Sequence, residues 1–173
     1  RMLFWQGSKA AFTAVGRISP DYYCMDGTIP RSQLSYVLEE IDKLSRHYKL
    51  RVANVFHAGD GNLHPLILFD ANIPGEFELT EEFGSRILQV CIEVGGTITG
   101  EHGVGLEKIR QMAMQFTDEE LAQFHAIKAV FDPKTNLNPG KGIPVLKRCQ
   151  EYRTLFKKQN EEVCNPIAGE NAA

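Results

Sequence analysis

The chain has 173 residues, 43% apolar and 24% charged, proportions that fit a single globular domain with a core of ordinary size. Its 19 basic and 22 acidic residues are spread along the sequence and leave a net charge of −3, which excludes the basic footprint of a nucleic-acid or anionic-membrane binder. The four cysteines, Cys24, Cys91, Cys149 and Cys164, form no CxxC pair and argue against a zinc-ribbon or iron–sulfur site. They fit reduced thiols in a cytoplasmic protein, and no apolar run approaches the ~20 residues of a membrane span.

The opening Arg1-Met-Leu-Phe-Trp5 has no initiator methionine at its first position and reads as the continuation of a longer protein. Leu3, Phe4, Ala10, Ala11, Phe12 and Val15 approximate one helical face, with Gly16 as the stop. Tyr22-Tyr-Cys-Met-Asp26, bounded by Pro20 and by Gly27 and Pro30, predicts a first strand. A helix over 31–48 follows from Leu34, Val37, Leu38, Ile41 and Leu44 at offsets of three and four.

Residues 51–57 and 64–70 are β-rich runs joined by Gly59-Asp-Gly-Asn62, whose glycines accept positive φ and whose Asp and Asn favour turns, so the pair predicts a hairpin. A helical stripe over 80–94, with Thr80 as N-cap, ends at Gly95-Gly96, and residues 97–99 form a short β-branched strand. Residues 106–116 read as helical. Thr117-Asp-Glu-Glu120 is a capping box for a helix broken at Asp132-Pro133, and the turn Asn136-Leu-Asn-Pro-Gly-Lys141 follows.

The order strand, helix, strand, strand, helix, strand predicts an α+β, ferredoxin-like antiparallel sheet with helices on one face, plus a C-terminal helical segment and tail. Residues 145–173 are expected to be a polar, basic tail.

Chemistry concentrates in two stretches, 57–64 and 100–105. A tight hairpin brings His57, at the end of one strand, near His64, at the start of the next, and Glu101 supplies a carboxylate. Two imidazoles and one carboxylate suit Zn²⁺, Mn²⁺ or Fe²⁺ with positions left for a ligand, although histidines hydrogen-bonded in a polar turn give the same pattern without a metal. His102 follows Glu101 directly. On an extended backbone adjacent side chains diverge, which separates a ligand at Glu101 from a general base at His102. Gly100, Gly103 and Gly105 follow GxxGxG, not the dinucleotide-binding GxGxxG, and are expected to allow close backbone approach.

With HAGDGNLHP at 57–65, GEHGVG at 100–105 and LNPGK at 137–141, the chain resembles the C-terminal domain of FAD-linked 2-hydroxy-acid oxidases and dehydrogenases of the vanillyl-alcohol-oxidase superfamily. Residues 14–30 are most similar to the FAD-linked subunits of bacterial glycolate oxidases. The resemblance implies that residues 1–144 are the substrate or cap domain, that the N-terminal FAD-binding domain is absent, and that the isolated chain neither retains FAD nor turns over substrate. It implies a divalent metal on His57, His64 and Glu101, His102 as the base, Asn138 near the flavin, and Asn62 in the substrate site.

Two departures matter. Many relatives carry an arginine at the position of Ser8, so that Lys9 beside it becomes the candidate substrate anchor. Relatives with a YKYD-like strand carry a lysine at Cys24, whose replacement favours a small monoacid such as glycolate over a diacid. The implied partners are a flavoprotein-like subunit and an iron–sulfur subunit, through which a cytoplasmic enzyme would associate with the inner membrane. The competing reading is a non-catalytic ferredoxin-like module for ligand binding or subunit assembly.

Overall fold

A computed structural model describes residues 13–144. They belong to two compact units, one ending at Gly103 and the other beginning at Val104. Of the N-terminal helix expected through Gly16, only residues 13–15 are described, and they are helical. Lys9, Cys149, Cys164 and the expected tail over 145–173 lie outside the described residues.

The first unit is built on an antiparallel sheet whose central strand is β4, Asn62–Phe69. On one side it pairs with β1, Asp21–Cys24, and β2, Gly27–Thr28; on the other with β3, Val52–His57. A 3-10 turn at Arg31–Gln33 leads into α1, Leu34–Tyr48, and α2 is Glu76–Glu93. With residue 97 bridged to Thr28, the element order and the antiparallel sheet match the expected α+β arrangement. Residues 97–99 make only that one bridge, so the expected last strand is reduced to a single point of pairing.

Alternation along β4 divides the unit. Leu63 and Ile67 are buried together with Val37 and Ile41 of α1 and Phe83, Ile87, Leu88 and Cys91 of α2. Phe69 meets Phe77 of α2 with ring centroids 5.9 Å apart, and Tyr48 of α1 stacks on Phe83 at 5.2 Å. Each fully buried Leu, Ile or Phe contributes about 1.5–3 kcal/mol, which is why the apolar spacing of 34–48 settles into a helix against the sheet. Leu66 and Leu68 point to the opposite face and pack with Val15, Cys24, Ala53 and Val55. His64 and Asn62 share that second face.

Pro65 stands in the middle of β4, where a proline normally breaks a ladder because it has no N–H to donate. The ladder accommodates it by interruption. Met25 and Asp26 drop out between β1 and β2, and Met25 N–H donates to the Pro65 carbonyl at 3.1 Å. The register is the same on both sides of the gap, Cys24 opposite Leu66 and Gly27 opposite Leu63, so Asp26 falls opposite His64.

α2 begins after Gly75, which is left-handed at φ 86°, four residues earlier than expected. Thr80 is therefore not an N-cap. Its hydroxyl donates back to the Glu76 carbonyl at 2.8 Å, satisfied inside the helix.

In the second unit only Met112–Gln115, α3, is helical within the expected 106–116 helix, and residues 105–111 form successive turns. Positive φ at Gly103 and Gly105 sets the chain off in a non-helical path there. The capping box is as expected: Thr117 Oγ1 accepts from Glu120 N–H at 3.3 Å, and Glu120 Oε2 accepts from Thr117 N–H at 2.7 Å, opening α4, Asp118–Phe131. At its end the Asp132 carboxylate accepts from the Asn136 and Leu137 amides at 2.8 and 2.9 Å and from Lys128 Nζ at 2.8 Å. Lys128 holds that carboxyl below the usual carboxylate range, with the two amides adding to the effect. None of the described helices is long and apolar enough to cross a membrane.

Candidate metal centre

The hairpin of β3 and β4 carries the first two site residues. His57 ends β3, and its carbonyl accepts from the amides of Asp60 and Gly61, both at 3.0 Å, which closes the turn. Gly61 takes φ 77°, and a side chain there would strike the Ile29 carbonyl, so glycine is required twice over. The turn returns the chain at Asn62, paired with His57, and two residues on His64 projects from the same face. The His57 and His64 rings meet edge to face with centroids 5.4 Å apart.

The other half comes from the loop after residue 97, and its shape is set by Asp26. This carboxylate is fully buried. It accepts hydrogen bonds from Thr99 Oγ1 at 2.8 Å, from the Gly100 and His102 amides at 3.0 Å, and from the Glu101 amide at 3.2 Å. Three consecutive amides turned to one acceptor curl the loop, and both side chains that follow are presented to the sheet face. Gly100 is needed for the approach: a Cβ there would overlap the Asn62 carboxamide and the Thr28 hydroxyl.

The four side chains meet at one point. Glu101 Oε1 lies 2.9 Å from His64 Nε2 and 3.8 Å from both His57 Nε2 and His102 Nε2. His102 stacks on His64 with centroids 5.0 Å apart. The expected divergence of Glu101 and His102 is therefore not found, because the backbone at 100–102 is curled around Asp26 and is not extended. His64 is buried, whereas His57, Glu101 and His102 are each about half exposed on the open side.

One donor atom each from His57, His64 and Glu101 lies within 4.8 Å of the others. Two imidazoles and one carboxylate, gathered on a half-open face, are a fitting donor set for a divalent transition ion with positions left for a ligand. His64 Nδ1 and Asn62 Oδ1 are buried without a hydrogen-bond partner. Leaving such an atom unpaired costs about 1–3 kcal/mol. Asn62 Nδ2 lies 3.5 Å from His64 Nε2.

Of the residues singled out in the sequence, His57, His64, Glu101, His102 and Asn62 are thus brought together. Asn138 belongs to the second unit, where it holds a left-handed φ of 46° in the turn fastened by Asp132 and Lys128. Sequence reasoning missed Asp26, which it treated as the end of a strand. The available signal was an acidic residue in an otherwise apolar and aromatic run, directly before a glycine.

The family model for "FAD linked oxidases, C-terminal domain" matches residues 2–142. Glycolate oxidase subunit GlcD of Escherichia coli K12 is 67% identical over 155 residues, covering 90% of this chain and 31% of the relative. Its Bacillus subtilis namesake is 38% identical over 79% of this chain and 29% of the relative. The mitochondrial D-lactate dehydrogenase [cytochrome] of Arabidopsis thaliana is 32% identical over 81% of this chain and 25% of the relative. The chain spans less than a third of the length of these relatives.

Proposed function

Because the chain belongs to the C-terminal domain family of FAD-linked oxidases, we propose that it is the substrate domain of a flavin-dependent 2-hydroxy-acid dehydrogenase that oxidises glycolate to glyoxylate. The observation that carries this reading is the convergence of His57, His64 and His102 on the single carboxylate oxygen of Glu101. The names of the relatives point to glycolate and D-lactate, both small 2-hydroxy monoacids.

In this reading His57, His64 and Glu101 hold a divalent ion, Zn²⁺, Mn²⁺ or Fe²⁺. When bound, the ion supplies Lewis-acid polarisation of the substrate's oxygens, and FAD supplies a hydride acceptor. His102 Nε2 takes the proton of the substrate's 2-hydroxyl group as general base. Asn62 lines the substrate site beside His64. Lys9 anchors the carboxylate, and Asn138 lies beside the flavin.

We assign residues 1–144 to the substrate domain and 145–173 to a tail. The flavin is held mainly by a separate N-terminal domain, and the enzyme works with flavoprotein-like and iron–sulfur subunits in a cytoplasmic complex at the inner membrane. The name of the E. coli relative, a subunit, supports an assembly.

The test is metal and flavin analysis of the purified chain and of a His57→Ala variant, with glycolate turnover measured in the full-length enzyme carrying the same change. One equivalent of transition metal, lost together with turnover in the variant, is expected, without flavin in the isolated chain. Loss of metal with turnover intact would return the site to the non-catalytic module reading. Faster turnover of 2-hydroxyglutarate than of glycolate would overturn the small-monoacid assignment.

A further inference from the structure

Beside the donor set just described lies a second one that contains sulfur. Cys24 is the last residue of β1, paired with Leu66, and its side chain stands on the same sheet face as Leu66 and His64. One donor atom each from Cys24, His64 and His102 lies within 4.8 Å of the others. Tetrahedral Zn²⁺ with bonds of about 2.0–2.3 Å spaces its donors by roughly 3.3–3.8 Å, so small side-chain rotations close this set on an ion. Cys24 is half-buried and His64 buried. His64 also has the orphaned nitrogen Nδ1, a buried polar atom with no hydrogen-bond partner in a cluster of metal-ligating groups.

The two sets differ in chemistry. His57, His64 and Glu101 offer two nitrogens and an oxygen, a set that also accommodates Mn²⁺ and Fe²⁺. Cys24, His64 and His102 offer two nitrogens and a sulfur, which favour thiophilic ions and disfavour Mn²⁺. They share His64 and therefore compete for it.

We propose that Cys24, His64 and His102 form a second, thiolate-containing site that captures soft divalent ions such as Cd²⁺ or excess Zn²⁺, and that its occupation inhibits the enzyme. On binding, a metal–sulfur bond forms and the thiol proton passes to solvent. The ion also takes the lone pair of His102. Inhibition follows because that lone pair is the one needed to accept the substrate proton, and this part of the proposal rests on the function assigned above.

The experiment is a Cd²⁺ titration of the purified protein, following the ultraviolet thiolate-to-Cd²⁺ charge-transfer band, alongside a Mn²⁺ titration followed by electron paramagnetic resonance. Cys24→Ser and Cys24→Ala are compared with His57→Ala, and thermal melts verify that each variant is folded. The site is expected to give one equivalent of Cd²⁺ with a charge-transfer band that both Cys24 variants lose and His57→Ala retains. Cd²⁺ affinity should fall tenfold or more in the Cys24 variants, while Mn²⁺ affinity stays within twofold. A band that survives in folded Cys24 variants, or that is absent from the parent protein, overturns the second site. If Mn²⁺ fails to bind while the Cys24-dependent band is present, the metal reading of the first set falls and the thiolate site stands.

Discussion

The amide of His102 donates to Asp26 Oδ2 at 3.0 Å, across 76 positions of sequence. Through this bond and its neighbours from Gly100 and Glu101, a buried carboxylate sets where two of the site residues stand. Asp26 lies in the gap between β1 and β2, opposite His64 and on the same sheet face, beside Pro65, which has no N–H to donate.

Asp26→Asn replaces one of the two carboxylate oxygens with a donor that would face amide donors. We expect a loss of about 1.5–3 kcal/mol in folding stability, the range for hydrogen bonds to a charged group, measured by chemical denaturation. Metal affinity should fall tenfold or more, because Glu101 no longer meets the histidines. Unaltered metal affinity in a folded variant would show that the loop holds its shape without Asp26.

How much of this was legible in the sequence follows from the range of each interaction. The hairpin joining His57 to His64 is local, set by Gly59, Asp60 and Gly61, and so are the apolar face of α1 and the capping box at Thr117. The curled loop at 100–102 is not local: its partner Asp26 lies more than 70 residues away, and backbone amides carry no sequence signature. Glu101 and His102 were identified as site residues for their chemistry, but their convergence depended on that distant carboxylate. The expected helix is missing over 106–111, directly after left-handed glycines at 103 and 105.

His57→Ala separates binding from stability. The imidazole is more than half exposed, 58% for the side chain, and exposed truncations change stability by about 0.5 kcal/mol or less. Thermal melting should therefore be nearly unchanged while transition-metal affinity falls at least tenfold. A large drop in melting temperature would instead make His57 a structural member of the hairpin.

Acid should loosen the turn that carries Asn138. The Asp132 carboxyl titrates below the usual carboxylate range, chiefly because Lys128 bonds to it. A folded-state value below the unfolded one means that the stabilisation is fully present above about pH 4 and is lost as pH falls toward the lower folded value. Amide exchange at Asn136 and Leu137, corrected for the intrinsic pH dependence, should accelerate below pH 4. In Asp132→Asn these amides should exchange faster at neutral pH and lose the acid step. An acid step of equal size in the variant would assign it to another carboxylate.

Gly100→Ala tests whether the loop must lie directly on the sheet. The new methyl would overlap two groups at once, the Asn62 carboxamide and the Thr28 hydroxyl, and the backbone amide of residue 100 is fixed from behind by Asp26. Moving the loop outward lengthens three bonds to a buried carboxylate, whereas the alternative is for the Asn62 and Thr28 side chains to rotate away. Overpacking of this kind costs about 1–3 kcal/mol, and we expect that loss in denaturation together with weaker metal binding, since Glu101 is carried outward with the loop. Tight metal binding in a destabilised Gly100→Ala protein would mean that Asn62 had moved and the loop had not. Crystallography of the variant would then find Glu101 in place and the Asn62 carboxamide rotated away from residue 100.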